Sequence, residues 1–369
     1  MKISINCTLF LLSFSFFTAC KTPNPVAQTM AEKDWVLAPF EKVDSLNPIL
    51  RASTTNIFVC PILKKDVEWQ RKDVFNPAVV VREGKVFMIY RAEDTIGKHA
   101  GTSRLGLAIS EDGLHFKTEK EAVFYPDNDK MTVYEWEGGC EDPRIVESKD
   151  GTYIMTYTSY DGKTARLCLA TSLDLRHWTK HGLVLGEGKH RDTWSKSGAI
   201  VCKRQGEKIV AEKINGKYWM YWGDTNLYMA TSDDLIHWAA LENETGALIK
   251  VLEPRTEGFD NGLVESGPFA LMSDKGILLI YNAANKGFLN DPKASPENSY
   301  KAGQALFNLK NPTQLIARIK DSFFQPDRPY EIMGQVNRVV FLEGLAYFKN
   351  KWFLYYGTAD SKIGVAVKK

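Results

Sequence analysis

The feature that most constrains this chain is a motif that returns at a nearly fixed step. Ala108-Ile-Ser110-Glu-Asp112 with His115-Phe116, Ala170-Thr-Ser172-Leu-Asp174 with His177-Trp178, and Ala230-Thr-Ser232-Asp-Asp234 with His237-Trp238 share one pattern, and their alanines step by 62 and then 60 residues. Each follows an aromatic run: Val86–Tyr90, Tyr153–Tyr157 and Tyr218–Trp222. Two more such runs, Ile277–Tyr281 and Trp352–Tyr356, are followed by alanines at further steps of 75 and 61 residues. A period of this size marks a repeat architecture, in which each unit buries its apolar face against its neighbours. Runs of Val, Ile, Tyr, Phe and Trp alternate with Asp-Gly and Asn-Gly turn signals such as Asp112-Gly113, Asp161-Gly162 and Asn215-Gly216, which reads as antiparallel β-sheet. Closing five sheets into a ring leaves fewer open edges than stacking them in a line. The expectation is an all-β, five-bladed β-propeller over residues 46–369.

The recurrent Ser-Asp…His corner reads as structural, because a catalytic apparatus has no need to recur three times around a ring. The remaining histidines, His99, His181 and His190, lack metal-site spacing, and no GxSxG elbow occurs. Composition narrows the partners. With 47 basic and 45 acidic side chains and no long basic run, nucleic acid is excluded as the main partner. The 9 Trp, 15 Tyr and 19 Phe instead suit the flat C–H faces of sugars.

Residues 1–20 read as a signal peptide: Lys2, an apolar stretch from Cys7 to Phe17, then Phe17-Thr18-Ala19-Cys20. The ending is similar to the lipobox of bacterial lipoproteins, with Cys20 as the lipidated residue and 21–45 as a tether. This makes the chain an exported lipoprotein, held to a membrane only through that lipid anchor, on the periplasmic face or the cell surface. Cys60, Cys140, Cys168 and Cys202 show no CxxC spacing and read as buried small hydrophobes.

Charged residues gather where the aromatic runs end. They are Arg91, Glu93 and Asp94 in the first repeat, Glu212, Lys213 and Asp224 in the third, Asp260 and Glu265 in the fourth, and Asp360 in the fifth. The segment Tyr134–Arg144 adds acids, glycines and Asp142-Pro143-Arg144. It reads either as a loop entering the axis or as a solvated acidic loop with Asp142 paired to Arg144.

Phe75-Asn76-Pro77-Ala78, Tyr90-Arg91, Glu141-Asp142-Pro143-Arg144-Ile145, Lys217–Tyr221, Gly267-Pro268 and Tyr355-Tyr356-Gly357…Asp360 together resemble glycoside hydrolase family 130, the mannoside phosphorylases and mannosidases. The resemblance spans the chain from about Asn47 onward and implies a five-bladed propeller. It also implies that Asp142 is the general acid, protonating the glycosidic oxygen through a mannose hydroxyl. Phosphate, or water in the hydrolases, then attacks from the opposite face. Attack by water needs a second carboxylate about 6.5–9.5 Å from the acid, and phosphorolysis needs a cationic cradle instead. The family's phosphorylases carry histidine after the fourth-repeat tyrosine, where this chain has Asn282, and Glu265 would repel phosphate. Export favours hydrolysis too, since a sugar 1-phosphate serves a cell chiefly in its cytoplasm. The expected activity is an inverting exo-acting β-mannosidase on β-1,2-linked mannosides, with Glu265 or Glu212 activating water. Asn76, Arg91, Glu93, Asp94, Arg144, Lys213, Asp260, Tyr356 and Asp360 are the expected sugar ligands. No cofactor or metal is required for acetal cleavage by two carboxylates. The alternatives are a phosphorylase producing mannose 1-phosphate and a non-catalytic glycan-binding lipoprotein.

Overall fold

Each aromatic run forms the second strand of an antiparallel meander. In the first sheet Asp73–Arg82 pairs with Lys85–Glu93, then Ser103–Ser110 and Lys117–Thr118. The second runs Gly139–Glu147, Tyr153–Tyr160, Ala165–Ser172, Thr179–Leu183. The third runs Ala199–Gln205, Tyr218–Trp222, Leu227–Ser232, Trp238–Ala240. In the fourth, Leu263–Ser266 and Ala270–Met272 both pair with Ile277–Ala284, which continues to Tyr300–Phe307 and Leu315–Arg318. The fifth runs Val340–Phe348, Lys351–Thr358, Lys362–Lys368, and takes its outer strand, Glu41–Lys42, from the other end of the chain. Helix is confined, among the described residues, to the short turns Thr132–Glu135, Lys286–Asn290 and Pro329–Ile332.

This computed structural model describes residues 34–368 except Ala100, Glu187, Pro292 and Ala294. The signal-like stretch and Cys20 lie outside the described residues. The expected tether, 21–45, has to be shortened: Trp35 is buried against Leu278, Leu306 and Ile319, and the Glu41–Lys42 strand belongs to the fifth sheet. Cys60, Cys140, Cys168 and Cys202 are free and buried.

Central strands such as Gly139–Glu147 and Ile277–Ala284 are buried along their whole length, because a sheet packs on each face. That double burial accounts for continuous aromatic and aliphatic runs in place of clean polar alternation. The recurrent corners are structural. In each, Asp112, Asp174 or Asp234 accepts two backbone N–H bonds and one from its own histidine, while the preceding serine oxygen accepts two more. The three histidines are exposed.

The first strands meet one another: Asp73–Arg82 lies against both Gly139–Glu147 and Val340–Phe348, and Ala199–Gln205 against Gly139–Glu147 and Ala270–Met272. Each is interrupted, or in the third sheet preceded, by a doublet ending in Pro or Gly. Register breaks fall at Asn76-Pro77, at Asp142-Pro143 and at Glu343-Gly344. Ser197-Gly198 precedes the third sheet, and Gly267-Pro268 splits the first strand of the fourth. Asn76, Asp142 and Ser197 have φ of 47°, 48° and 59°, the left-handed region that Asn and Asp enter more readily than most residues. A bulge re-aims its side chain out of the pleat, and here it does so at the level where the sheets converge.

Arg144 locks that level. Its Nε donates to Gly267 O at 2.8 Å, Nη2 to Ser266 O at 2.9 Å and Nη1 to Asp142 O at 3.0 Å, and Nη2 lies 2.8 Å from Glu343 Oε1. Burial pushes the Glu343 carboxyl well above its usual range, against the pull of Arg144. Removing the guanidinium strands buried carbonyls and a buried acid, so Arg144→Ala is expected to lower the unfolding free energy by about 3–5 kcal/mol. Glu343→Gln, which replaces a group already driven towards neutrality, is expected to cost no more than about 1 kcal/mol. Urea unfolding followed by circular dichroism measures both.

Candidate active site

The interrupted strands open onto a cavity of about 180 Å³ lined by Asn76, Arg91, Asp142, Lys196, Glu265 and Asp360, with Phe288, Tyr300, Val336, Val339 and Phe341 as its apolar wall. Residues of all five repeats contribute, although they are spread from position 76 to position 360.

Asp142 is the most tightly held. Asn76 Nδ2 donates to its Oδ1 at 2.9 Å, Arg91 Nη1 donates to the same oxygen at 3.0 Å, and Lys196 Nζ stands 4.0 Å from Oδ2. Burial alone would raise its pKa, but Arg91, Lys196, Asn76 and Arg144 outweigh that and hold the carboxyl well below the usual range. The neighbouring carboxyl of Glu141, 3.1 Å from Arg91, is shifted the other way, with burial exceeding the pull of Arg91 and Lys196. Gly357 makes room for this arrangement: a Cβ there would stand 2.2 Å from Asn76 Oδ1.

Glu265, on the Leu263–Ser266 strand, receives hydrogen bonds from Ser197 Oγ at 2.7 Å and from the Tyr300 hydroxyl. Burial and the charge of Asp224 push it up to about 7, against Lys196, Tyr300 and Arg144. Asp360, at the turn after Lys351–Thr358, is also raised to about 7, again chiefly by burial, with Asp142 and Glu93 adding and Arg91 opposing. Arg91 reaches its place because Glu93 holds Nη2 at 2.8 Å and Ser103 accepts from Nε at 3.0 Å. Four cations, Lys72, Arg91, Arg144 and Lys196, thus face six carboxyls: Glu93, Glu141, Asp142, Glu265, Glu343 and Asp360. Among the described residues, no cluster of His, Cys, Asp or Glu is arranged to hold a metal ion.

Of the expected site residues, Asn76, Arg91, Asp142, Glu265 and Asp360 line the cavity. Arg144 and Glu93 lie behind it and position Asp142 and Arg91. The others are corrected. Glu212 and Lys213 follow an extra strand, Lys208–Ala211, that turns away along the edge of the third sheet. Glu212 pairs there with Lys149 at 2.6 Å, and the Lys213 ammonium lies over the Tyr218 ring. Asp260 is a buried counter-ion for Arg255 and Arg318 and accepts from the Tyr281 hydroxyl at 2.8 Å. Asp94 folds its own loop, accepting from the N–H groups of Ile96, Gly97 and Thr102 and from Arg104. The Tyr356 hydroxyl donates to Glu331 at 2.9 Å, inside the core of the fifth sheet.

The Tyr134–Arg144 segment is no loop: its end, Gly139–Glu147, is the first strand of the second sheet, with Asp142 in its bulge. Lys196 stands in the polar third-repeat stretch Trp194–Gly198, and Phe288 and Tyr300 in the 285–300 segment expected to shape the outer subsite, but none of these, nor Phe341, is among the residues expected as ligands. The signal for Lys196 was its place beside Ser197-Gly198; Phe288 and Tyr300 lie in and after a short helix without readable periodicity. Asn282 is used up in bonds to the backbone N–H and carbonyl of Leu342, at 2.8 and 3.0 Å.

The family described as beta-1,4-mannooligosaccharide phosphorylase, glycoside hydrolase family 130, matches residues 41–369. A 1,2-beta-oligomannan phosphorylase of Thermoanaerobacter sp. (strain X514) is 34% identical over 317 residues, covering 83% of this chain and 94% of that protein. A glycosyl hydrolase structure from Bacteroides ovatus superposes with a TM-score of 0.87 at 46% identity, covering 91% of this chain and 95% of the other. A structure from work on family 130 glycoside hydrolases that target β-1,2-mannosidic linkages in Candida mannan gives a TM-score of 0.86 at 44% identity, covering 91% and 95%. With its interrupted inner strands, its acid-lined cavity and a family match over nearly all described residues, the chain belongs to glycoside hydrolase family 130.

Proposed function

We propose that this protein is an exo-acting enzyme that cleaves β-1,2-linked mannosides with inversion, and that its five meanders are the blades of a propeller around the cavity. The observation that carries the reading is the pair Asp142 and Glu265 in one cavity, with proton affinities displaced in opposite directions. Such a split between neighbouring carboxyls is how an enzyme separates the roles of acid and base. Asp142 is proposed as the donor to the glycosidic oxygen and Glu265 as the base that activates water. In the ligand-free cavity Arg91 and Lys196 keep Asp142 ionised, so the proton rests on Glu265. Sugar hydroxyls that compete for Arg91 and Lys196 would loosen their hold and let the proton pass to Asp142.

The attacking group is where the supports divide. The family description and the curated relative name phosphorolysis, and by the names of relatives that reading is the better supported. The cavity's charge favours water. Glu265, once its proton has passed to Asp142, carries a charge that would repel phosphate, and Asn282 is committed to Leu342. We therefore take hydrolysis as the conclusion from the geometry and phosphorolysis as the second reading. Export as a lipoprotein anchored at Cys20 belongs to the same proposal; the protein should fractionate with membranes and leave them on Cys20→Ser.

Purified protein incubated with β-1,2-mannobiose is expected to release mannose whether or not phosphate is present; mannose 1-phosphate formed only with phosphate establishes the second reading. Asp142→Asn is expected to lose at least about 10²-fold in rate, the usual contribution of a positioned proton donor. Glu265→Gln should lose as much, but external azide should restore turnover to it alone; rescue of Asp142→Asn instead would exchange the two roles. The pH dependence has a definite sign. Below about 7 the pair carries one proton, held by Glu265 because its pKa is raised; above about 7 that proton is lost and the donor has none. The kcat/KM profile is thus expected to fall on the alkaline side of about 7, and a flat profile there removes Glu265 from the mechanism.

A further inference from the structure

Among the described residues Trp194 is the only Phe, Tyr or Trp left exposed, at 47%. A singly exposed apolar side chain is ordinary on a surface; what sets this one apart is that it is held rigidly beside the cavity. Ser195 is fixed by two bonds, its N–H to Ala165 O at 3.0 Å and its Oγ accepting from Leu167 N at 2.9 Å. Lys196 O accepts from Gly223 N at 2.8 Å. The indole is pinned by its edge, with Nε1 donating to Asp224 Oδ2 at 3.0 Å and the Tyr160 ring standing edge-on at 6.4 Å. The ring is 5.9 Å from the Lys196 ammonium, which lines the cavity, and Asp224 is close enough to act on the charge of Glu265. An immobilised aromatic face therefore stands beside the cavity, outside its lining, where the second sugar of a disaccharide would emerge if the first fills the cavity.

We propose that Trp194 is the stacking platform for the leaving-group sugar, and that it sets the preference for oligosaccharides over simple glycosides. The flat C–H face of a pyranose suits an indole face; the bond to Asp224 is made at the indole's edge, and the Lys196 ammonium stands over one face. This inference rests on the mannoside-cleaving reading above.

The test measures binding by calorimetry in the Asp142→Asn background, so that the ligand survives, with β-1,2-mannobiose and mannose as probes. Trp194→Ala is expected to weaken mannobiose about tenfold, the scale of one aromatic contact, with mannose affinity unchanged. Trp194→Phe, which keeps a ring without its N–H, should retain most of the affinity. Equal mannobiose affinity in Trp194→Ala and its parent overturns the inference, as does an equal loss for both sugars. A parent protein that binds neither sugar overturns the proposed function along with it, whereas a parent that binds both and a native protein that cleaves neither overturn only the catalytic reading.

Discussion

A buried guanidinium with no water to satisfy it needs fixed acceptors, and Arg144 finds them on the second, fourth and fifth sheets at once. The rest of the centre depends on that requirement. Two of the acceptors, Ser266 O and Gly267 O, are available because the first strand of the fourth sheet breaks at Gly267-Pro268. A third, Asp142 O, is presented by the bulge that also turns the Asp142 side chain into the cavity. The same side chain that closes the sheets therefore fixes the backbone of the proposed proton donor. Charge burial is a poor source of net stability, but here it specifies one arrangement of three chain segments.

The cavity's electrostatics follow from the same crowding. Burial drives Glu141, Glu265, Glu343 and Asp360 towards their protonated forms, and neighbouring carboxyls add to it in each case. Asp142 escapes because Arg91 and Lys196 both face it. An incoming dianion would compete with Asp142 for Arg91 and Lys196 and would meet a charged Glu265 once its proton had passed to Asp142, whereas neutral water and sugar hydroxyls meet only hydrogen-bonding partners.

Much of the fold was legible because double burial writes itself as aromatic runs and because the Ser-Asp…His corner must satisfy the same backbone groups each time it occurs. Strand ends rich in charge were a weaker guide. Arg91 and Glu93, two positions apart on one strand, share a face, and only contacts distant in sequence decide that Arg91 reaches the cavity while Glu93 holds its guanidinium. Asp260 and Glu265 are five positions apart, yet Asp260 faces two arginines under the sheet while Glu265 faces the cavity. Which face a charged residue takes depends on bulge position and on partners such as Arg255 and Arg318, which are distant in sequence. Glu212 failed as a candidate for another reason: it follows the Lys208–Ala211 strand, whose Val210 stands opposite Glu147, and its carboxyl pairs with Lys149 outside the cavity lining.

A better sequence signal lay in the doublets. Asn76-Pro77, Asp142-Pro143, Ser197-Gly198, Gly267-Pro268 and Glu343-Gly344 each place Pro or Gly where a buried central strand should not carry one. Proline removes a ladder donor and glycine weakens a strand, so both are expected at edges or bulges. Five such exceptions, one at the start of every repeat, require a shared cause. The first strands have lost regular pairing at a common level because their side chains are needed on the axis and not on the sheet faces. Backbone regularity is given up at that level, and in return Asn76, Asp142 and Lys196, which precede or flank these breaks, meet around one volume. By the same logic an exposed tryptophan two residues before Lys196 is placed by the break at Ser197-Gly198, and its position beside the cavity follows from the geometry that built the cavity.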